Sequence, residues 1–259
     1  MIPKIIHYCW FGGSELPENM QRCMESWKRH CPDYEIRRWD ESNYDFRGIA
    51  YAAEAYQAKK WGFVTDAIRL DIIYRYGGIY LDTDVELLKP LDDLLAHSAF
   101  FGFEGGRQVN TGVGFGAEKG HPIVEGNLKM YEDRHFLNPD GSMNLLPCPA
   151  ITTMYLENLG LTREDRLQQV GGAVIYPREF FSPQLLENGN AETTENTYSI
   201  HHYAASWMNP QERAQEQKRI RIYTRYGKKV LLIFDGVNLL RKHGFGLFWN
   251  RLWERMRGE

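Results

Sequence analysis

The sequence has few cysteines and no long apolar run. Cys9, Cys23, Cys31 and Cys148 form no CxxC pair, and no histidine stands at zinc-ligand spacing from them. We therefore expect buried thiols in a reducing compartment rather than a disulfide framework. No segment approaches the roughly 18–20 apolar residues that cross a bilayer, and the start lacks the length and cleavage site of a signal peptide. These absences predict a soluble, cytoplasmic protein.

The net charge of −3 over 259 residues excludes a broadly basic surface, so we expect no nucleic-acid partner. The charge is uneven, however. Residues 211–259 hold twelve Lys and Arg against five Asp and Glu, interleaved with Leu, Phe and Trp. This pattern predicts a basic, amphipathic helical tail that either binds an anionic membrane surface or packs on the domain with its charged face in water. Membrane binding would place the protein peripherally on the inner face of the cytoplasmic membrane.

Residues 1–210 alternate apolar runs of strand length with segments of helical periodicity. This alternation predicts an α/β domain with a mostly parallel, Rossmann-like central sheet and flanking helices. The predicted strands include IPKIIHYCWF, YEIRRWD, IYLDTDVELL, SAFFGFE, AVIYPREFFSP and NTYSIHHYAASW.

The stretch GGIYLDTDVELLKP places Asp82 and Asp84 in a run that is otherwise strand-like. Residues i and i+2 share one face of a strand, so we expect both carboxylates to point the same way. Neighbouring carboxylates repel each other and lose solvation when buried. A divalent cation shared with the phosphates of a nucleotide would offset that repulsion, and Mg²⁺ or Mn²⁺ prefers such oxygen ligands. The alternative is that both acids face solvent at the end of the strand.

The predicted helix before this stretch carries Asp66 and Arg69, which lie three residues apart and so share one helix face. The helix stops at Gly77-Gly78, which turns the chain directly into the strand with Asp82. An ordinary intrahelical ion pair is the simpler interpretation of Asp66 and Arg69.

The segment GFVTDAIRLDIIYRYGGIYLDTDV, together with the opening IPKIIHYCWFGG, resembles the sugar-binding DXD region of glycosyltransferases. The resemblance is to the Och1-like α-mannosyltransferase and capsular-polysaccharide group (family GT32) and, more distantly, to the clostridial glucosylating toxins. It covers residues 1–16 and 62–90, and more loosely 100–122 and 198–207. It implies a GT-A fold, a nucleoside-diphosphate sugar donor, a Mn²⁺ or Mg²⁺ ion and retention of the anomeric configuration.

The resemblance also implies roles for individual residues. Asp84 would ligate the metal directly, while Asp82 would bond the ribose or the sugar and reach the metal partly through water. Asp66 and Arg69 would hold hydroxyls of the donor sugar, with Arg69 near the phosphate as well. Trp10 would stack on the nucleobase, since bases stack well on aromatic rings.

Later segments complete the predicted site. Asn110 would face the donor sugar or the acceptor, and Ser206 and Trp207 would lie near the diphosphate. A histidine would be the third metal ligand. If strand alternation holds, one of His201 and His202 points into the site, and we favour His201.

The predicted function is transfer of a sugar from a UDP- or GDP-sugar to a saccharide or lipid-linked saccharide, in surface or capsular polysaccharide or glycolipid synthesis. Front-face attack needs no enzyme nucleophile, whereas double displacement would use Glu104 or Asp82. Two other classes are a metal-dependent nucleotide hydrolase or phosphotransferase and a non-catalytic sugar-binding scaffold. The first usually needs an aspartate where this first strand ends in HYCWFGG, and the second would not need to keep the acidic pair.

Overall fold

The computed structural model describes residues 1–105, 107–186 and 190–204, and residues 1–204 form one compact unit. The strands of this part are β1 Ile5–Cys9, β2 Glu35–Trp39, β3 Gly78–Tyr80, β4 Val85–Leu87, β5 Ala99–Glu104, β6 Gln108–Asn110, β7 Phe115–Ala117, β8 Gln168–Val170, β9 Ala173–Tyr176 and β10 Ser199–His201. Its α-helices are α1 Glu18–His30, α2 Ala50–Gln57, α3 Trp61–Tyr76, α4 Pro122–Lys129 and α5 Cys148–Asn158, and short 3₁₀-helices span Asp92–Ala96 and Arg178–Phe180.

The main sheet has the strand order β2-β1-β3-β7-β5-β9-β8, with β6 paired to β5. Strand β1 is parallel to both β2 and β3, and β5 is parallel to β9. Strands β6, β7 and β8 add antiparallel pairs, and β4 pairs antiparallel with β10 in a separate two-stranded sheet. The predicted α/β fold with flanking helices is confirmed, and the parallel group β2-β1-β3 leads to the candidate site.

Helix α3 is the most deeply buried helix described, with eleven of its sixteen residues buried. It contacts α2 and α4 as well as β1, β3 and β7, so apolar residues are needed around most of its circumference. Asp66 and Arg69 are buried within this helix and therefore require polar partners inside the protein. The helix thus holds both side chains in the interior, beside the end of β3.

Two glycines join α3 to β3 in a turn whose backbone conformation is unfavourable for residues with a Cβ atom. Gly77 and Gly78 have φ angles of 67° and 107°, which are left-handed values. A Cβ on Gly78 would also lie 2.8 Å from the carbonyl oxygen of Ile5. The Gly-Gly pair therefore lets β3 begin beside β1 immediately after the helix ends.

The predicted strand IYLDTDVELL is wrong as a continuous element. The chain leaves the main sheet after Tyr80 and pairs again only from Val85, in the second sheet with β10. Asp82 and Asp84 lie in the turn between, where the Asp82 backbone N–H donates to the Gly112 carbonyl at 3.0 Å. The alternation argument for their shared direction therefore fails, because polar residues at these positions form a turn rather than a central strand.

Other predictions have mixed outcomes. All four cysteines are buried and free, as expected. Strand β8 was not predicted. Within the described ranges, no helix is long and apolar enough to span a membrane. The predicted tail 211–259, the boundary at residue 210, Ser206 and Trp207 lie outside the described residues.

Candidate metal centre and donor site

Asp82, Asp84 and His201 converge although His201 lies 117 residues after Asp84 in the sequence. One ligand atom from each lies within 4.8 Å of the others. Pairing of β4 with β10 places Val85 opposite His201, which brings the histidine beside Asp84. His201 Nε2 is 3.1 Å from Asp84 Oδ1, and the Ala204 backbone N–H donates to Asp84 Oδ2 at 2.7 Å. The second sheet therefore closes a three-residue cluster around the turn.

The chemistry of this cluster fits a divalent cation. His201 is buried, and its Nδ1 has no hydrogen-bond partner among the described residues. Burial opposes ionisation of Asp84, but the charge of His201 and hydrogen bonds from His201 and the Ala204 backbone lower its pKa to about 2. Burial also disfavours charge on His201, yet Asp84 and the other nearby carboxylates raise its pKa. A bound Mn²⁺ or Mg²⁺ would supply positive charge to the same carboxylates.

The structure separates the two neighbouring histidines. The His202 side chain is turned away from the cluster and partly exposed, with Nε2 2.9 Å from Glu86 Oε2. Only its backbone N–H reaches the turn, where it donates to the Asp84 carbonyl at 3.0 Å. Of the pair left open by the sequence, His201 is the residue placed at the acidic cluster.

Arg69 joins the helix to the acidic turn. Its Nη2 lies 3.4 Å from Asp66 Oδ1 and 3.3 Å from Asp82 Oδ1, and the guanidinium is buried. Nη2 also donates to Thr65 Oγ1 at 2.7 Å, while Nε donates to the Thr65 carbonyl at 3.2 Å. The Tyr80 ring centroid lies 5.0 Å from the guanidinium carbon. These contacts fix the plane of the guanidinium, so Asp66–Arg69 is part of a network and not an isolated intrahelical pair.

The Arg69 guanidinium is the positive charge that both Asp66 and Asp82 contact. Burial raises the pKa of Asp66 to about 7, although Arg69 opposes the shift. Burial likewise raises the pKa of Asp82, again against Arg69, and Asp84 adds to the rise. The Tyr80 hydroxyl donates to Asp82 Oδ1 at 3.2 Å. Asp66 can therefore accept or donate a hydrogen bond near neutral pH.

Gly112 closes one side of this network. A Cβ at this position would lie 2.8 Å from Arg69 Nη1 and 3.0 Å from Asp82 Cγ, with the carboxylate oxygen nearer still. Gly112 also accepts the backbone hydrogen bond of Asp82. The absence of a side chain is therefore what allows the β6–β7 connection to lie against Asp82 and Arg69.

Asn110 supports that connection. Its Oδ1 accepts from the Gly112 backbone N–H at 2.7 Å, and its Nδ2 donates to Glu104 Oε2 at 2.8 Å. The Tyr203 hydroxyl lies 3.4 Å from the same Glu104 oxygen, and the Tyr203 ring centroid is 4.1 Å from that of His201. Burial raises the pKa of Glu104 despite these hydrogen bonds. The predicted contact of Asn110 with a sugar remains a prediction, since both polar atoms of its amide already have protein partners.

Trp10 follows β1 at the same sheet edge as the acidic turn. Parallel pairing sets His7 opposite Tyr80, so Trp10 and Asp82 both follow the carboxyl ends of adjacent strands. The indole is half-buried, packs on the apolar core and donates to the Ser14 carbonyl at 2.7 Å. This location is compatible with the predicted stacking on a base, which remains a prediction.

Residues 17–101 match the family model described as "Glycosyltransferase sugar-binding region containing DXD motif". This segment is therefore similar to the DXD region of glycosyltransferases. It holds Asp66, Arg69, Asp82 and Asp84, whereas Trp10, Asn110 and His201 lie outside it.

Curated relatives of the DXD region include two fungal enzymes. The chain is 36% identical over 127 residues to inositol phosphoceramide mannosyltransferase 3 of Schizosaccharomyces pombe, covering 48% of this chain and 35% of the relative. It is 31% identical over 145 residues to mannosyl phosphorylinositol ceramide synthase SUR1 of Saccharomyces cerevisiae, covering 54% of this chain and 37% of the relative. The matched part is thus little more than a third of each relative's length.

Solved structures that resemble this chain include the PaToxG glycosyltransferase, with a TM-score of 0.48 and 18% identity over 61% of this chain and 69% of that one. The galactosyltransferase LgtC, in complex with donor and acceptor sugar analogues, has a TM-score of 0.42 and 13% identity over 82% of this chain and 93% of that one.

Sequence reasoning missed three residues that support the DXD region. Thr65 holds Arg69 and lies four residues before it, a helical spacing that could have indicated the contact. Cys148 has Sγ 4.0 Å from Arg69 Nη1 and 3.7 Å from Asn110 Oδ1, with no signal in the sequence. Tyr203 is held over His201 by a hydrogen bond of 2.5 Å with Ser182 Oγ.

Proposed function

We propose that this protein is a metal-dependent, retaining glycosyltransferase that moves a sugar from a UDP- or GDP-sugar to a saccharide or lipid-linked saccharide. One observation carries the proposal: Asp82, Asp84 and His201 converge beside the buried Asp66–Arg69 pair of a DXD region. Carboxylates grouped with an imidazole suit a cation shared with a diphosphate, and the adjoining polar pair suits a sugar.

The residues divide the work of holding the donor. Asp82, Asp84 and His201 would hold Mn²⁺ or Mg²⁺, and the bound ion would supply positive charge for the diphosphate. Arg69 presents a guanidinium whose orientation is fixed by Thr65 and Asp82. Asp66, with its raised pKa, accepts from or donates to a sugar hydroxyl. Because the network is already hydrogen-bonded, little reorganisation is needed when the donor binds.

Retention by front-face attack is the proposed stereochemical course. The two carboxylates that could act as a nucleophile both have protein partners: Glu104 accepts from Asn110 and Tyr203, and Asp82 contacts Arg69 and Tyr80. Burial raises the pKa of each. These features favour attack by the acceptor hydroxyl on the face that the diphosphate leaves, with the leaving phosphate taking the proton.

The names of the curated relatives support a mannose-containing donor. Among the predicted pathways, which are surface polysaccharide, capsular polysaccharide and glycolipid synthesis, they support a glycolipid acceptor. Both fungal relatives are named for mannosyl transfer in the inositol phosphoceramide series. We propose that this chain likewise transfers mannose to an acceptor that carries a phosphorylated polyol.

The donor proposal is tested by thermal unfolding with a panel of UDP- and GDP-sugars, with and without Mn²⁺. A donor at one hundred times its Kd should stabilise by about 2.7 kcal/mol, or roughly 5–10 °C, only when metal is present. Asp84→Asn should abolish the metal-dependent shift. Glu86→Gln is the matched control, because this exposed carboxylate two residues away contacts His202 instead. Absence of a metal-dependent shift with every donor, or a full shift in Asp84→Asn, would contradict the proposal.

The tail is proposed to hold the enzyme at the inner face of the cytoplasmic membrane, where lipid-linked acceptors are available. The support is the charge and aromatic content of residues 211–259. We expect the full chain to sediment with vesicles rich in phosphatidylserine at low salt and to be released at high salt. Equal recovery with pure phosphatidylcholine vesicles would refute membrane binding through charge.

A further inference from the structure

A polar cleft of about 430 Å³ lies beside the donor site. Its lining residues are Glu104, Arg107, Asp165 and Arg178. Glu104 ends β5, Arg107 lies in the hairpin turn that follows, Asp165 precedes β8 and Arg178 begins the 3₁₀-helix after β9. Three separate segments therefore bring two acids and two arginines to one concave surface.

Glu104 connects this cleft to the metal centre through two residues. Asn110 donates to Glu104 and accepts from Gly112, which packs on Asp82. The Tyr203 hydroxyl lies 3.4 Å from the same Glu104 oxygen, and its ring contacts the ring of His201 at a tilt. Only the side chains of Asn110 and Tyr203 would thus separate a molecule in contact with Glu104 from the acidic cluster. Asp66 and Arg69 approach the same cluster from a different element, helix α3.

Among the described residues, the acids of the cleft have protein donors, but the two arginine side chains have no protein acceptor. Asp165 Oδ1 accepts from the Arg178 backbone N–H at 2.7 Å, and Glu104 accepts from Asn110. In the part of the chain that is described, neither Arg107 nor Arg178 forms a side-chain hydrogen bond or ion pair. Nε of Arg178 is buried and has no hydrogen-bond partner there. A buried, charged donor without an acceptor is costly, and a ligand oxygen that enters the cleft would satisfy it.

The backbone at Arg107 supports the same interpretation. Its φ angle is 61°, one of three positive values among described residues other than glycine. Such a conformation is unfavourable for a residue with a Cβ and is often found at ligand sites. The turn beside Glu104 therefore has an arginine at a position where glycine is usual.

We propose that this cleft is the acceptor subsite and that it selects an acceptor bearing a phosphate group, which Arg107 and Arg178 bind while the acceptor's hydroxyls face Glu104. The inference rests on the proposed function, because an acceptor site has meaning only beside a donor site. The guanidinium fork matches two phosphate oxygens, and it would satisfy the unpaired Nε of Arg178. The phosphate can belong to a free phosphorylated polyol or to a lipid headgroup.

The test compares myo-inositol 1-phosphate with myo-inositol as acceptors for the full chain with Mn²⁺ and a donor that passes the thermal-shift test. Arg178→Gln and Arg107→Gln should each raise KM for the phosphorylated probe at least tenfold, a factor typical of a lost charged hydrogen bond. The same changes should leave KM for myo-inositol and metal-dependent donor binding unaltered. Arg178→Lys keeps the charge without the fork and should have an intermediate KM. Arg166→Gln is the control, because its exposed side chain pairs with Glu164 outside the cleft.

A second arm presents phosphatidylinositol in detergent micelles. Preference for the micellar lipid over the free phosphate, lost in Arg178→Gln, assigns the phosphate to a lipid headgroup, and the reverse preference assigns it to a soluble acceptor. Equal effects of the arginine variants on myo-inositol 1-phosphate and on unphosphorylated myo-inositol, or loss of donor binding in these variants, would overturn the acceptor subsite. Absence of donor binding in the unaltered protein would instead refute the proposed function itself.

Discussion

Replacing Gly112 with alanine tests whether the position of Asp82 determines activity. The new methyl group would lie 2.8 Å from Arg69 Nη1 and 3.0 Å from Asp82 Cγ, inside ordinary contact distance, with the carboxylate oxygen closer still. Gly112 has an ordinary φ angle, so the backbone itself tolerates alanine. Relief of the overlap requires Asp82 to move by roughly 1 Å, because well-packed carbon contacts lie near 3.5–4.0 Å.

The displacement should affect activity more than stability. A shift of about 1 Å in a positioned group costs on the order of a hundredfold in rate, whereas overpacking costs about 1–3 kcal/mol of unfolding free energy. Activity is measured as metal-dependent transfer or donor hydrolysis, and stability by urea denaturation. Gly105→Ala is the control, because a Cβ there meets nothing within 4 Å. Wild-type rate and metal affinity in Gly112→Ala would refute the role assigned to Asp82.

Three further predictions concern single side chains. His201→Ala should weaken Mn²⁺ binding at least tenfold by calorimetry, whereas His202→Ala should leave it unchanged because that ring lies at Glu86. Burial lowers the pKa of His7 to about 4, so its stabilising effect is complete above pH 6.5 and is lost as pH falls towards 4. His7→Gln should remove up to about 3 kcal/mol of this acid dependence in urea denaturation. Because the pKa of Asp66 is raised to about 7, native stability falls as pH rises through 7. Asp66→Asn should therefore gain roughly 1 kcal/mol relative to the parent between pH 6 and pH 8, while losing donor affinity.

Local patterns predicted most of the elements that carry the site. Helix α3 followed from apolar spacing and from the Gly-Gly stop, and the structure shows why two glycines are needed there. Asp66 and Arg69 share a helix face as expected. The convergence of Asp82 and Asp84 was correctly predicted from an incorrect premise, since a turn between two sheets brings them together instead of one strand face.

Contacts between distant segments could not be predicted from spacing. The choice of His201 over His202 depends on the register of β10 against β4, which the sequence of either strand alone does not specify. Cys148 reaches Arg69 from helix α5, and nothing in its flanking residues indicates that contact. The cleft at Arg178 likewise requires three segments whose association is set by the packing of the whole sheet.

The small β4–β10 sheet has a consequence for synthesis of the chain. The acidic turn is translated more than a hundred residues before the histidine that faces it, and β10 is the last strand of the described part. A ribosome-bound fragment ending before residue 199 would have paired acids without their imidazole neighbour. On the proposed function, cation binding is therefore a late event in biogenesis, and uptake of manganese by fragments of increasing length would mark the length at which the cluster is complete.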